Sequence, residues 1–570
     1  MSKHRLSPAP LPPSKKIHLS SEISESSSTS PTSFESLSDE LVLCVFARLS
    51  FADLCACQAT SGNWYRLATD NELWRNLYLR NFGRPRLRGA RGFVGRTDGR
   101  EVKSLPGRAK VEDHKDWKWM FRISSNWKNG MSFSPSTMNH FSLCAGRCAM
   151  DDVRPFVQGL GMESLKQSHM LLAGSLTITA TSRSSSCPLI YVQHVAGEEH
   201  TLACPTTHIA HVTALALDQS APLSGHIRLI SFLSSGDFRV FSVDHNRPAS
   251  SSTELSYTPL RRSSRVCPII QAVYHHPLLI TLSEAFTLSI YDLSSGGAVL
   301  TQTLSSFTSF PPTSLVLSTT SAATYKLVLA YAIPVYPAHW SVGATELIIA
   351  GPSTNSELPR SSSFLVPTHT PMTVTSTRTA RALDVPQGWV DEKKLRVMRE
   401  QWSRKVYRVA DTQTDGKFVV LAPEDTHSES HGSMPSSPSS TSSLSSSSPP
   451  YASSLYSPTS LQLYRLSLPS STSVSSSGPK LSFVRTLHGQ MGPIAALALS
   501  DGRCVSFGVN GSIWVWDLES TTGTEVAAPM IEKSSDGALA LTSAKRSVTF
   551  DERRIVTAVN DHVVERRFDI

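Results

Sequence analysis

Apolar positions in the stretch SLSDELVLCVFARLS (Ser36–Ser50) recur at helical spacing: Leu41, Val45 and Leu49 share one face, with Val42 and Phe46 beside them. Three helix starts follow at capping-box spacing, Ser36 with Asp39, Ser50 with Asp53 and Thr69 with Glu72, and Gly62 offers a left-handed stop after LCACQATS. The pattern predicts three short helices over residues 34–80. Farther on, VEDHKDWKWMFRISSNWKNG sets Trp117, Met120, Phe121 and Trp127 on one helical face and ends on Gly130, which predicts a linker helix within 112–130. Residues 81–111 read as a basic, flexible linker. Residues 1–33, rich in Ser and Pro with few apolar groups, read as a disordered tail.

From about residue 135 the period changes to that of strands. In TLHGQMGPIAALALSDGRCVSFGVNGSIWVWDLES (Thr486–Ser520), Ile494, Leu497 and Leu499 mark one strand, DGR a turn, CVSFG a second strand, and SIWVWD, after the tight Asn510-Gly511 turn, a third. Weaker versions run from His211 to His245 and from Val266 to Gly296, and the chain closes on RRFD. LVLAYAIPVY, ELIIAG, FVVLAP and LQLYRLSL are further strands in the less regular stretch between Phe307 and Leu468. Such units cannot each bury a core and must stack, so 135–570 is expected to form an all-β propeller of seven, or eight, blades. An irregular β-sandwich is the competing architecture. Between Ser428 and Ser448, 13 of 21 residues are Ser. A stretch that polar cannot be a blade strand, so about 426–460 reads as a disordered insertion.

The 570 residues, 40% of them apolar, allow two or three domains with at least one sizeable core. No apolar run reaches the roughly 20 residues that cross a bilayer, and the amino terminus carries charges and prolines where a signal peptide is apolar. Cytoplasm or nucleus is the expected location, with no membrane contact. Nine cysteines without paired CxxC spacing argue against a disulfide framework or zinc site. The net charge of +8 is largely local, since ten Arg and Lys residues crowd the stretch from Arg80 to Lys110. With only Phe82 and Phe93 as stacking residues, that stretch reads as a solvated linker and not as a nucleic-acid site.

No catalytic constellation emerges. GLGMES at Gly159 lacks the third glycine of a dinucleotide loop, and neighbouring strand residues such as His275 and His276 point to opposite faces. No enzyme activity, metal or cofactor is expected. Ser-Pro and Thr-Pro pairs at Ser7, Ser30, Thr370, Ser437, Ser448 and Ser457 could accept phosphate, but chance occurrence in this composition is the favoured explanation.

The helical segment raises a different question. It holds Leu37, Leu41, Val45, Phe46, Leu49, Leu54, Trp64, Leu73 and Trp74 in fewer than fifty residues, too small a unit to cover that many apolar side chains by itself. Its landmarks, the LxDEL opening, the S-x-x-D-L second start, a central Trp and a closing LW, resemble the F-box, with departures at Ser38, Ala59 and Thr60. The resemblance implies that these nine residues dock a Skp-type adaptor and, through it, the cullin and RING subunit of an SCF ubiquitin ligase. The 112–130 segment resembles the strut that precedes the propeller in such proteins.

Thr486–Ser520 resembles a WD repeat through Gly489, Ser506, Trp516 and Asp517, with Gln490 where that family has His and Asn510 where it has Asp. Those two changes are expected to weaken the repeat's buried hydrogen-bond network. Positions where related propellers carry phosphate-reading cations hold Thr213, Gln271, Ala495 and Val509, which argues against a phosphate-reading face built in that way. The combination implies a substrate receptor whose target protein is unidentified. Alternatives are a scaffold outside ubiquitin transfer, or a propeller that binds RNA or chromatin.

Overall fold

A computed structural model describes residues 37–83, 116–133 and 168–569, the last without 182, 195–196, 221–224, 260–266, 307–308, 322–323, 336–338, 352–371, 384–387, 389, 425–458, 469–478, 530–545 and 560–561. The expected tail, most of the basic linker, the Ser-rich insertion, Gly159 and the six Ser-Pro and Thr-Pro sites lie outside these residues. The chain divides into two compact units, Met1–Leu73 and Trp74–Ile570.

The amino-terminal region forms four short helices, not three: α1 (Asp39–Phe46), α2 (Phe51–Gln58), α3 (Gly62–Ala68) and α4 (Asn71–Tyr78). Only α2 has the expected box, with the Ser50 hydroxyl accepting from Asp53 N and the Asp53 carboxylate accepting from Ser50 N. Helix α1 starts from Ser38 without a side-chain cap. Gly62 opens α3 behind the Ser61 cap instead of ending a helix, and α4 is capped by Asp70, which accepts from the backbone of Glu72 and Leu73, instead of by Thr69.

The rest is a seven-bladed propeller. Among the described residues its blades span 168–203, 212–257, 269–305, 310–381, 409–487, 494–527 and 546–567; the first six are four-stranded antiparallel sheets and the seventh shows three strands. The inner strands, Ser168–Ala173, Val212–Leu217, Ile269–His275, Phe310–Ser321, Val409–Thr414, Ile494–Ser500 and Arg546–Phe550, each lie beside the next, and the seventh returns to the first. That radial closure leaves only the short outer edge of each blade unpaired. Apolar side chains of neighbouring blades merge into shared clusters. Phe418, Val420 and Leu463 of blade five meet Ile494, Leu497 and Trp516 of blade six in one of these.

The linker helix is α5 (Trp117–Asn129), which starts at the Asp116 cap and ends on Gly130 at φ 67°. It packs on the propeller. A Cβ at Gly130 would lie 2.2 Å from the Glu525 carbonyl, so shape and backbone both require glycine there. Just beyond, Phe133 exchanges two backbone hydrogen bonds with Arg567, at 2.9 and 2.8 Å, and adds a single-residue fourth rung to blade seven.

Two carboxylates, the half-buried Asp411 and the buried Asp415, tie blade five to blade six. Asp411 accepts from Leu497 N of the next inner strand at 2.8 Å, from Thr412 N at 2.7 Å and from Gln413 Nε2 at 3.1 Å. Asp415 accepts from Gly502 N at 2.8 Å and from its own turn at Lys417 and Phe418. Burial pushes the Asp411 carboxyl up to about 6, against the pull of its three donors. Its unfolded value is about 3.9, so its contribution to stability is full below that pH and is lost as pH rises through 6. An amide cannot accept at both positions, so Asp411→Asn leaves a buried donor unpaired, at a cost of about 1–3 kcal/mol. Urea unfolding should find the gap between wild type and Asp411→Asn wider at about pH 5 than at about pH 7.5, by about 1 kcal/mol. A gap independent of pH would show that Asp411 is ionised in the folded protein across this range.

Candidate protein-docking site

Helix α1 carries two apolar stripes. Val42 and Phe46 point inward, where the Phe46 ring meets Trp64 edge-on at 5.5 Å, and Leu54, Leu67, Ala68 and Leu73 are buried as well. Gln58 Nε2 donates to the Ala68 carbonyl at 3.1 Å, and Arg66 pairs with Asp39 at 2.6 Å, tying α3 to the start of α1. The second stripe remains in solvent, with Leu41 54% and Val45 43% exposed and Cys44 exposed between them. Leu37, ahead of the helix, is 38% exposed. Two residues that the sequence pattern did not single out join this set, Phe51 at the first position of α2 and Tyr65 in α3, at 48% and 55% exposure.

Of the nine expected docking residues, Leu37, Leu41 and Val45 are available on the surface, and Leu49 and Trp64 are half-buried. Phe46, Leu54, Leu73 and Trp74 are buried within the chain itself, so they hold the surface in shape and do not form it. Trp74 meets Phe121 of α5 edge-on at 5.5 Å, and Tyr78 lies 5.4 Å from Trp117. Exposed leucine, valine and aromatic side chains on one short helical unit are costly in water and suit a partner with apolar cover.

In the propeller, the six repeat residues fall in or beside blade six. Trp516 Nε1 donates to Ser506 Oγ at 2.9 Å, Ser506 donates to Gln490 Oε1 at 2.5 Å, and Gln490 Nε2 donates to Ser512 Oγ at 3.2 Å. All four side chains are buried. The hydrogen-bond chain is geometrically complete: glutamine offers both an acceptor and a donor, and Ser512 takes the far end of the chain. Asn510 instead donates to the Met491 carbonyl and accepts from Ser512 N. Gly489 adopts φ 147°, and a Cβ there would lie 2.7 Å from the Trp514 ring. Asp517 caps the turn that follows by accepting from Glu519 N and Ser520 N.

Two of the positions without cations have structural work. Gln271 and Thr313 exchange hydrogen bonds between blades three and four, and Thr213 donates to the Phe232 carbonyl within blade two. His275 and His276 have separate surroundings, His275 against Tyr325 at 5.6 Å and His276 bonded to the Tyr274 hydroxyl at 2.9 Å. Among the described residues no group of three His, Cys, Asp or Glu could hold a metal ion, and no helix is long and apolar enough to cross a membrane.

Residues 34–80, which contain these four helices, match the family described as F-box-like. Residues 192–560, well over half of the chain, match the family described as F-box protein pof12 beta-propeller. The chain belongs to this family of F-box propeller proteins. An F-box region at the amino terminus and a propeller behind it are thus shared with the family, and F-box domains generally bind Skp-type adaptors. No curated protein matches the chain. Among solved structures, one similar chain is titled "Crystal structure of the computationally designed Ika8 protein: crystal packing No.1 in P63", at 11% identity and a TM-score of 0.31, covering 72% of this chain and 97% of that one. Similarity at that level says nothing about function.

Proposed function

We propose that this protein is the substrate-recognition subunit of an SCF-type ubiquitin ligase. Its F-box takes a Skp-type adaptor, its propeller holds a target protein, and its contribution to ubiquitin transfer is proximity rather than bond chemistry. The observation that carries this reading is the outward stripe of Leu41 and Val45, left exposed on an F-box unit that shares its chain with a propeller. An adaptor that covers this stripe relieves the cost of its exposure, and a ring of seven blades supplies a broad rigid surface for a target. Cytoplasm or nucleus, where such ligases work, is the proposed location.

Co-purification separates this role from that of a scaffold. The tagged full chain, expressed with the adaptor and a cullin, should retain both after washing in about 0.15 M salt. Retention of adaptor without cullin would replace the ligase reading by a scaffold that uses the adaptor alone.

A further inference from the structure

In each four-stranded blade the turn between the second and third strands and the passage to the next inner strand emerge at the same rim. At that rim the passage from blade four to blade five carries a helix, α6 (Glu392–Ser403), that no blade needs. None of its residues is buried. Met398, Gln401 and Trp402 are half-buried, while Leu395 and Val397 are 39% and 51% exposed. Over residues 391–408 stand Lys393, Lys394, Arg396, Arg399, Arg404, Lys405 and Arg408 against Asp391, Glu392 and Glu400. Arg404 pairs with Glu400 at 3.6 Å and lies over the Phe483 ring, whereas among the described residues no ion pair engages Lys393, Lys394, Arg396 or Arg399.

The helix is fixed at its carboxyl end. Val406 exchanges backbone hydrogen bonds with Trp340 at 2.7 and 2.9 Å, and Gln462 Nε2 donates to the Arg404 carbonyl. Trp340 meets Phe310 edge-on at 5.5 Å, and His339 lies 4.8 Å from Tyr407, with Phe310 and Tyr407 themselves exposed. A twelve-residue helix with no buried side chain has little reason to persist on its own account. Cations without partners, two exposed aliphatic side chains and exposed aromatic rings at one anchored rim are the composition of a protein-docking surface.

We infer that α6 and the adjoining Phe310–Trp340–Tyr407 rim form a docking site for an acidic segment of the target protein, carboxylates meeting the free cations and apolar side chains meeting Leu395 and Val397. This rests on the reading of the propeller as the target-binding part. It also supplies, on an inserted helix, the positive charge missing from Thr213, Gln271, Ala495 and Val509.

The test is fluorescence anisotropy of the full chain with a labelled peptide of repeating Leu-Glu-Glu units, beside a single-stranded oligonucleotide. The peptide should bind, Lys393→Glu combined with Lys394→Glu, Arg396→Glu and Arg399→Glu should weaken it about tenfold or more, and Leu395→Gln with Val397→Gln about fivefold. Both variants alter exposed side chains and should capture the Skp-type adaptor as wild type does, so loss of this site and loss of the F-box function read out separately. Peptide binding unchanged by either variant overturns the proposal, as does an oligonucleotide that binds more tightly through the same four cations. Binding that appears only after removal of residues 426–457 also overturns it, because the occupant would then belong to this chain.

Discussion

Leu41→Asp should abolish capture of the Skp-type adaptor and leave the protein folded. Leu41 is the third residue of α1, more than half exposed, and the first turn of that helix already holds Asp39 and Glu40. A further carboxylate near a helix amino terminus is favourable in the free protein. Against an apolar partner surface the same group becomes a buried charge without a counterion, at a cost of about 3 kcal/mol, roughly a hundredfold in affinity. Thermal unfolding should be indistinguishable from that of wild type. Trp64→Ala is a less selective probe, because Trp64 packs edge-on against the buried Phe46 and its loss loosens the bundle as well as any interface.

The second large effect falls on the other unit. Trp127 of α5 is buried, stacks on Phe568 at 4.0 Å and 14°, donates from Nε1 to the Glu552 carbonyl at 2.9 Å, and has the Arg503 guanidinium over its ring at 4.4 Å. Asn126 donates to the Phe568 carbonyl two residues from the end of the chain, and Thr524 donates to the Lys128 carbonyl. One side chain thus joins the helix, blade six and the three-stranded blade seven, whose fourth rung, Phe133, lies just past the helix. Trp127→Ala should cost about 3–5 kcal/mol and lower the unfolding midpoint by about 5–10 °C. Amide exchange in His562–Arg567 should quicken with it. Trp127→Phe, which keeps a stacking ring and loses only the donor, should lie between the two. A midpoint within about 1 °C of wild type for Trp127→Ala would show that α5 does not contribute to propeller stability.

The propeller was legible where blades keep alternating patterns and tight turns. Blades two, three and six appeared as repeats because their second strands are apolar runs and their third strands end in VD, YD or WD. Outer strands were not legible. Thr373–Arg381, TVTSTRTAR, packs one side on its neighbour and leaves the other in water, so it carries no apolar signal. Helix α6 escaped notice for the same reason, having no face that the fold buries.

At the F-box the set of apolar side chains was legible, but not their division. With Leu41, Val42, Val45 and Phe46 all apolar, more than half of the α1 circumference satisfies a helical pattern, and periodicity cannot tell which stripe faces inward. The contact of Phe46 with Trp64 decides it. Phe51 and Tyr65 were missed because each stands beside a stronger landmark, the Ser50 cap and Trp64. At Gln490 the departure from His leaves the hydrogen-bond chain complete, because the substituted side chain can both accept and donate.

The most direct measurement is a calorimetric titration of purified Skp-type adaptor into the full-length protein and into Leu41→Asp, under identical conditions. The account predicts saturable one-to-one binding to the first, with the negative heat-capacity change of apolar burial, and no measurable heat with the second. Equal binding to both proteins, or binding to neither, would contradict it.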